Sequence, residues 1–426
     1  MKLNIKELRL AIIGLGYVGL PLAVEFAKKR KVTGYDISAN RINELKSGFD
    51  KTLEVNNGNF KINKNLDLVK KIENIKNCNC FIITVPTPIN KKNKPDLSFL
   101  LKATKAIGKI LKPKDIVIYE STVYPGCTEE ECVPILESTS GLKFNKDFFC
   151  GYSPERINPG DKKHKIKDIK KIVSGSNKKI TNIIDKLYNE IIVAGTYKVK
   201  SIIVAEAAKV IENTQRDLNI ALLNELSIIF DKLNINTSEV ISAAKTKWNF
   251  IPFLPGLVGG HCIGVDPYYL THKAEKLGYK PKIILAGRNL NNSMSSYVVS
   301  KFIEHLKYNN IKIKNAKVLI LGLTFKENCP DLRNSKIKDI FDKLNNKNYQ
   351  IDLYDPLAAK DEIKSLYGKK KISKFLPNTY DGVIIGVGHN KFKSMGIKYI
   401  KSLCKINHVI FDLKSIFKKK YSNFQL

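Results

Sequence analysis

The sequence predicts an α/β protein in which two doubly wound domains flank a long helical region. Short apolar runs alternate with helix-length segments in the first part of the chain, which is typical of parallel βαβ units. Residues 198–233 contain no Pro or Gly, and their apolar side chains recur at helical spacing. A second alternating region begins near Ala316. These three observations define the predicted fold class.

The apolar runs of the first region are short enough to be strands buried on both faces. The predicted strands are residues 8–13, 31–35, 80–85, 115–119 and 148–152. In the last region, the predicted strands are residues 316–322, 351–354, 382–387 and 408–413.

Between these regions, two helical segments at 198–233 and 282–307 flank a Pro/Gly-rich loop at 250–264, which cannot be regular helix. Loops set on rigid helices often carry the chemistry of an enzyme. We therefore divide the chain into residues 1–197, 198–307 and 308–426.

The chain is strongly basic, with 73 Lys and Arg against 40 Asp and Glu and a net charge of +33. A nucleic-acid-binding protein would concentrate these charges in patches. Here the lysines are scattered among Asn and Ile, so the excess indicates a bias in residue usage, and we expect no nucleic-acid partner. The diffuse positive potential still favours small anionic ligands.

Eight cysteines occur without a C-x-x-C pair or zinc-finger spacing, so we expect reduced thiols and no metal site. The sequence shows neither a secretory signal nor an apolar run long enough to cross a bilayer. It therefore predicts a cytoplasmic protein without membrane insertion.

A glycine-rich turn follows the first predicted strand. Gly14, Gly16 and Gly19 lie between that strand and a helix, and Asp36 ends the next strand. In this context the glycines permit a tight turn, an approach of pyrophosphate to the backbone and close helix packing. A carboxylate at Asp36 accepts from a ribose hydroxyl and repels a 2′-phosphate, which favours NAD over NADP. The alternative is a βαβ turn that has lost its ligand.

Cys262 follows two glycines in the central loop, so we expect its backbone to approach a ligand closely, and Asp266 lies four residues later. If a helix starts near Cys262, thiol and carboxylate share a face. A thiol can attack a carbonyl while the acid handles protons or water. A buried structural cysteine is the alternative. For His261 we favour a structural role over that of a thiol base.

Three further motifs suit the same chemistry, although each could also be solvated surface. Lys209 and Asn213 share one face of the long helix and could stabilise an oxyanion. Glu155 follows a strand, at the edge where open α/β sheets bind ligands. Lys326 and Arg333 follow a strand of the last region and suit a diphosphate.

Together these segments resemble the UDP-glucose/GDP-mannose dehydrogenase family, in matching order over essentially the whole chain. The matching motifs are residues 14–21, 153–156, 205–213, 259–266 and 325–333. The resemblance implies two Rossmann-like doubly wound domains joined by a long central helical region that also carries a homodimer interface. It implies that the first domain binds NAD and the last binds the UDP of a sugar nucleotide.

The resemblance also implies a reaction and residue roles. Two NAD⁺ and one water oxidise the C6 hydroxymethyl of the sugar to a carboxylate through a Cys262 thiohemiacetal and thioester. The implied catalytic residues are Cys262, Lys209, Asn213, Asp266, Glu155 and Thr122. The implied cofactor contacts are Gly14, Gly16, Tyr17, Val18, Gly19, Asp36, Arg41, Thr84, Pro86, Thr87, Thr122 and Arg333. The implied substrate contacts are Glu155, Arg156, Asn158, Lys209, Asn213, Phe253, Gly259 and Lys326.

The sugar is predicted from two segments. Residues 156–161 and 260–270 look like the branch that acts on UDP-N-acetylhexosamines, because UDP-glucose members typically lack the Arg-x-Asn-Pro-Gly run and the His before the Cys. UDP-N-acetylglucosamine and UDP-N-acetylgalactosamine, used in surface polysaccharide synthesis, are the expected substrates. UDP-N-acetylmannosamine, UDP-glucose and a non-catalytic binding protein are the alternatives.

Overall fold

The computed structural model describes residues 4–55, 64–90, 92–157 and 165–426, and this part of the chain contains two sheets and twelve α-helices. The strands of the first sheet are β1 (Leu10–Ile13), β2 (Val32–Tyr35), β3 (Leu66–Val69), β4 (Cys80–Ile83), β5 (Ile116–Tyr119), β6 (Phe149–Tyr152), β7 (Lys171–Gly175) and β8 (Thr196–Lys198). Those of the second are β9 (Lys317–Leu321), β10 (Gln350–Tyr354), β11 (Tyr380–Ile385), β12 (Cys404–Asp412) and β13 (Phe424–Gln425).

The helices connect and cover these strands. They are α1 (Gly19–Ala27), α2 (Ala39–Lys46), α3 (Ser98–Gly108), α4 (Val133–Ser140), α5 (Lys178–Asn189), α6 (Ile202–Lys232), α7 (Thr237–Ala244), α8 (Asp266–Lys276), α9 (Lys282–Tyr308), α10 (Lys336–Asn345), α11 (Lys360–Tyr367) and α12 (Asn390–Ser402). A π-helical turn at Thr128–Cys132 precedes α4. No helix of the described residues is long and apolar enough to span a membrane.

The first sheet has the strand order β3-β2-β1-β4-β5-β6-β7-β8. The central strand β1 is fully buried, as its unbroken apolar sequence predicts. It pairs in parallel with β2 and β4, so that Leu10 aligns with both Val32 and Cys80. Strands β2 and β3 are added on one side of β1, and β4 and β5 are added on the other side. The strand order therefore switches between β1 and β4, which is where such sheets bind ligands. β7 is antiparallel to β6.

The second sheet has the order β10-β9-β11-β12-β13, and all of its pairs are parallel. Its core is formed by the inner faces of β9, β10 and β12 and by the apolar side of α9 and α10. Phe302 of α9 packs edge-on against Phe411 of β12, with ring centroids 5.1 Å apart.

The chain divides into two units, residues 1–212 with 268–280 and residues 213–267 with 281–426. The first unit contains the eight-stranded sheet, and the second contains the five-stranded sheet. The 31-residue helix α6 starts in the first unit and ends in the second. The mixed α/β fold class and the long central helix are therefore confirmed. The strands β3, β7, β8 and β13 were not predicted, because the first three are less apolar or lie among lysines and β13 has only two residues.

Candidate active site

The glycine-rich turn after β1 has the geometry of a dinucleotide site. Gly14 has φ +92°, which favours glycine, and a Cβ on Gly19 would lie 1.8 Å from the Gly14 carbonyl oxygen. By contrast, a Cβ on Gly16 would meet no atom within 4 Å, so the turn is open there. The exposed backbone at Gly16 and the start of α1 behind it suit a pyrophosphate. Tyr17 and Val18 lie half-buried in the same turn.

Asp36, at the end of β2, is held beside this turn. Its Oδ2 accepts from Leu15 N at 2.8 Å and its Oδ1 accepts from Ser38 N at 2.8 Å. The carboxylate is half-buried, so it keeps an open side for a ribose hydroxyl. These residues therefore fit the adenosine half of NAD.

Arg41 is more buried than its predicted role of an adenosine contact requires. Only 5% of the residue is exposed. Its Nε donates to Leu15 O at 2.8 Å and its Nη2 donates to Asp50 at 2.8 Å, while Nη1 pairs with Glu44. The guanidinium thus braces the turn from behind. Its contact with adenosine stays a prediction.

The other polar residues predicted in this domain follow parallel strands and lie at one sheet edge. Thr84 follows β4, and its hydroxyl donates to Gly14 O at 2.7 Å. Pro86 and Thr87 come next, and Thr87 O accepts from the Tyr269 hydroxyl at 2.9 Å. Thr122 follows β5 and is half-buried. The turn at Gly14 and the loops after β4 and β5 therefore form one surface.

A buried ion pair lies beneath two of these loops. Lys171 Nζ donates to Glu120 at 2.9 Å and to Pro154 O at 3.1 Å. The Tyr188 hydroxyl donates to the other oxygen of Glu120. Burial raises the pKa of Glu120, although Lys171 opposes that shift. Glu120 lies two residues before Thr122, and Pro154 lies directly before Glu155. Lys171 therefore connects the two loops that carry these candidate catalytic groups.

Glu155 follows β6 in the loop that also carries Arg156. Its Oε1 accepts from Ile157 N, whereas no group of the described ranges hydrogen-bonds to its buried Oε2. Arg156 pairs with Glu212 and donates to Lys170 O at 2.7 Å. The loop is thus fixed with one carboxylate oxygen left for a ligand or water. The predicted substrate contact Asn158 lies outside the described residues.

Helix α6 carries the next candidate groups. Lys209 is only 6% exposed, so it is not a solvated surface lysine. One turn before it, fully buried Glu206 accepts from Gly126 N at 2.6 Å and from Thr128 N at 2.9 Å. Burial raises the pKa of Glu206 to about 7. Glu206 therefore ties the segment after Thr122 to the helix that carries Lys209.

In the second unit, Asn213 of α6 donates its side-chain amide to Asp266 Oδ2 at 2.6 Å. Asp266 is 1% exposed and begins α8. Its backbone N–H donates to Cys262 O at 2.8 Å. The predicted helical turn from thiol to carboxylate is thus present, although the helix itself starts at Asp266 rather than at Cys262. The structure joins Asn213, Asp266 and the Cys262 backbone in one cluster.

The thiol of Cys262 is the accessible one. All eight cysteines lie within the described ranges, where none forms a disulfide bond, and seven of them are buried whereas Cys262 is partly exposed. A partly exposed cysteine with a fixed carboxylate nearby is what covalent catalysis requires. A purely structural cysteine would be buried like the other seven.

The two glycines before Cys262 accommodate protein rather than ligand. A Cβ on Gly260 would lie 2.6 Å from the Phe325 ring, and one on Gly259 would lie 2.5 Å from Asn334 O. Gly260 N also donates to Asn334 O at 3.2 Å. The loop after β9 therefore packs directly on the cysteine loop. Our interpretation that both glycines serve the approach of a ligand needs this correction.

The remaining predicted contacts lie in the second unit. Phe253 and Lys326 are half-buried, and Thr324 donates its hydroxyl to Lys326 O at 3.0 Å. Arg333 is exposed, and its guanidinium pairs with Asp331 at 2.8 Å. Among residues 4–55, 64–90, 92–157 and 165–426, no three acidic, His or Cys side chains cluster as metal ligands.

The comparisons with known proteins agree with this geometry. Three family models match: the NAD-binding, central and UDP-binding domains of the UDP-glucose/GDP-mannose dehydrogenase family, at residues 8–192, 203–293 and 319–419. The chain belongs to this family. Its members are NAD-dependent dehydrogenases, and NAD is accordingly the cofactor of this chain.

Individual relatives cover the whole chain. A UDP-N-acetyl-D-glucosamine 6-dehydrogenase of Pseudomonas aeruginosa is 56% identical over 99% of this chain and 100% of its own length. A protein of the same name from Salmonella typhi is also 56% identical, with the same coverage. A solved structure of UDP-D-ManNAc dehydrogenase from Pyrococcus horikoshii is 30% identical, covers 98% of each chain and has a TM-score of 0.88. The predicted family is thus confirmed for this dehydrogenase.

The first prediction concerns the buried ion pair of this dehydrogenase. Replacing Lys171 by Met leaves the Glu120 carboxylate without its cation, so the free energy of unfolding should fall by about 3–5 kcal/mol. Lys170→Met, at the exposed neighbouring position, is the matched control. Scanning calorimetry measures both. A Lys171→Met protein that unfolds at the same temperature as Lys170→Met would contradict the structural role of the pair.

A second prediction concerns the pH dependence of stability. The pKa of Glu206 is raised from 4.5 to about 7 in the fold, so the stability it contributes is full below pH 4.5 and is lost as pH rises through 7. The advantage in free energy of unfolding of the wild type over Glu206→Gln should therefore shrink from pH 5 to pH 8, by at most about 1.4 kcal/mol per pH unit, as urea denaturation at each pH measures. Glu225→Gln, exposed on the same helix, should show a constant difference. A constant difference for Glu206→Gln would refute the prediction.

Proposed function

We propose that this chain oxidises the C6 hydroxymethyl of a UDP-N-acetylhexosamine to the uronic acid, with UDP-N-acetylglucosamine as the first candidate and UDP-N-acetylgalactosamine as the second. The observation that carries the proposal is the half-exposed Cys262 beside the Asn213–Asp266 pair. Two relatives at 56% identity are UDP-N-acetyl-D-glucosamine 6-dehydrogenases, which supports the N-acetylglucosamine substrate. UDP-N-acetylmannosamine and UDP-glucose remain the alternatives.

The proposed reaction consumes one alcohol, two NAD⁺ and one water and yields one carboxylate, two NADH and three protons. NAD⁺, when bound, supplies the acceptor for the hydride that leaves C6 in each oxidation. After the first oxidation, Cys262 Sγ bonds to the aldehyde carbon and gives a thiohemiacetal. After the second, the same carbon is a thioester. Water then attacks it, the C–S bond breaks, and the thiol regains its proton.

The side chains of the chain stabilise charge and move protons in these steps. An oxyanion forms when the thiol adds to the aldehyde and again when water attacks the thioester. The Lys209 ammonium and the Asn213 amide suit this oxyanion, and the hydrogen bond from Asn213 to Asp266 fixes the amide in orientation. Asp266 is buried, so it can exchange protons with the reacting alcohol or water without competition from solvent.

Thr122 and Glu155 are proposed to act on water. Both follow neighbouring strands, β5 and β6, and Lys171 fixes their loops through Glu120 and Pro154. Glu155 offers its Oε2 as an acceptor. We propose that Thr122 orients the attacking water and that Glu155 accepts its proton.

Binding is divided along the chain in this proposal. Residues 1–197 bind NAD through the turn at Gly14 and Asp36, residues 198–307 carry the nucleophile, and residues 308–426 bind UDP. The positive charge of Lys326 and the overall positive potential suit the diphosphate of the UDP-sugar. Eight cysteines without a disulfide bond among the described residues suit the reducing cytoplasm, where UDP-sugars for surface polysaccharides would be oxidised.

A substrate panel tests the function. We expect UDP-N-acetylglucosamine or UDP-N-acetylgalactosamine to give about two NADH per sugar, because both hydrides leave the same carbon. UDP-N-acetylmannosamine, UDP-glucose and GDP-mannose should react with a kcat/KM lower by about tenfold or more, since each places hydroxyl or amide groups differently. The absorbance of NADH measures the rate and the yield with each sugar nucleotide. A preference for UDP-glucose, or one NADH per sugar, would overturn the assignment.

The matched variants for this panel are Cys262→Ala and Cys404→Ala, the second removing a buried thiol far along the chain. Cys262→Ala should bind UDP in calorimetry yet form no uronic acid, whereas Cys404→Ala should keep its activity. Full turnover by Cys262→Ala would eliminate the thioester route. Binding of UDP-sugar and NAD⁺ by the wild type without any NADH would favour a non-catalytic binding protein.

We also propose that the protein is a homodimer that buries part of α6. Within the second unit, Leu222, Ile229 and Leu233 are seven and four residues apart and therefore share one face of this helix. They are 52%, 43% and 60% exposed. Trp248, in the segment after α7, is 92% exposed. An exposed apolar stripe along one helix face is typical of a protein–protein interface.

The dimer predicts a definite response to charge. Ile229→Arg places a cation on this face, and burying an unpaired charge costs several kcal/mol, so at about 5 μM the protein should become monomeric. Asn345→Arg, exposed at the end of α10, is the matched control and should not change the mass. Light scattering after size exclusion measures both. A wild type that is already monomeric would contradict the proposal.

A further inference from the structure

Asp331 lies within the motif at residues 325–333 of the second unit, and the proposed chemistry gives it no role. It lies in the loop after β9, seventy residues from the cysteine loop, and is 5% exposed. Its Oδ2 lies 2.6 Å from His261 Nε2 and 2.8 Å from Arg333 Nη2. Its Oδ1 accepts from Arg333 N at 2.9 Å and from Arg333 Nε at 3.0 Å. One buried carboxylate therefore joins the residue before Cys262 to a predicted NAD contact.

The two loops around this carboxylate also fit each other closely. The His261 ring packs edge-on against Phe325, with centroids 5.7 Å apart. Asn334 donates its side-chain amide to Gly260 O at 3.2 Å and accepts from Gly260 N at 3.2 Å. The backbone on either side of the Asp331 contact is thus fixed as well. The cysteine loop has little freedom as long as these contacts hold.

The charge of Asp331 is matched to its partners. Burial alone would raise the pKa of this carboxyl group, but the hydrogen bonds from His261 and Arg333 hold it well below its usual range. The carboxylate is therefore ionised at any physiological pH. Charge-assisted hydrogen bonds of this kind are stronger and more directional than neutral ones.

We propose that Asp331 is a positioning residue with two targets. It positions the Cys262 thiol through His261, and it positions the Arg333 guanidinium directly. One side chain thus sets both the nucleophile and the cofactor contact. The proposal rests on the proposed function, in which Cys262 is the nucleophile, and on the NAD contact that the family resemblance implies for Arg333. His261 acts here as a tether and not as a base for the thiol, because its Nε2 is committed to Asp331.

The test separates the two arms of Asp331 with full-length protein and two readouts. Alkylation of Cys262 by iodoacetamide, followed by mass spectrometry from pH 6 to 9, reports on the thiol without turnover, since the other seven cysteines are buried. Calorimetry with NAD⁺ alone reports on the cofactor contact. Asp331→Asn keeps the size and shape of the side chain. Its amide offers only one acceptor oxygen, and its NH₂ group presents two N–H donors to His261 and Arg333, which are themselves donors.

The expected pattern is specific. Asp331→Asn should loosen the loop, so alkylation becomes about fivefold faster at each pH. In the same variant the Kd for NAD⁺ should rise about tenfold and kcat should fall about 100-fold. His261→Leu should reproduce only the faster alkylation, and Arg333→Leu only the weaker NAD⁺ binding. His261→Gln, which can still donate to Asp331, should keep the wild-type alkylation rate. Asp361→Asn, exposed on α11, is the control and should change nothing.

Two results would overturn the proposal. One is a shift of the pH midpoint of alkylation in both His261→Leu and His261→Gln, which would make His261 a base for the thiol. The other is an Asp331→Asn protein whose alkylation rate and NAD⁺ affinity equal those of Asp361→Asn. Should Asp331→Asn fail to fold, the pair His261→Leu and His261→Gln decides the tether alone. Turnover by Cys262→Ala would refute the thioester route and leave these binding and alkylation results interpretable.

Discussion

The parallel pairing of β1 with β2 and β4 is the constraint on which the first half of the site depends. Because Leu10 aligns with both Val32 and Cys80, the three strands end at the same level. The turn at Gly14, the carboxylate of Asp36 and the hydroxyl of Thr84 are consequently brought to one edge from positions up to seventy residues apart. A slip of one residue in either pairing would turn every side chain to the other face of the sheet.

Much of this arrangement could be predicted from the sequence, for a physical reason. A strand buried on both faces must be apolar along its length, and a turn that approaches a pyrophosphate must contain glycine. Strand β1 and Gly14 can therefore be identified from the local sequence. Lys171 was not predicted, because nothing in a lysine-rich stretch marks the one lysine that pairs with Glu120. The antiparallel β7 was missed for the same reason. Contacts made over fifty residues leave no local pattern.

The cysteine loop illustrates the same limit at the proposed nucleophile, Cys262. Its glycines were correctly identified as sites of close approach, but what approaches them is Phe325 and Asn334, from a loop more than sixty residues later. A sequence shows that a Cβ is missing and not which neighbour requires its absence. The outcome matters for function, since a cysteine loop packed on the UDP-binding domain is held by protein contacts before any substrate arrives.

The two sheets also show how one turn can serve two purposes. Gly322 and Leu323 after β9 correspond to Gly14 and Leu15 after β1, and Asp355 ends β10 as Asp36 ends β2. Asp36 accepts two backbone N–H groups and stays half-buried, whereas Asp355 is fully buried. His389 contacts Asp355 at 3.1 Å, and four backbone N–H groups donate to its carboxylate at 2.7–3.3 Å. Burial opposes ionisation, yet these contacts lower the pKa of Asp355 to about 2. Since Asp355 has no open side for a ribose, the second sheet cannot bind a dinucleotide as the first does, and its nucleotide must rely on other contacts.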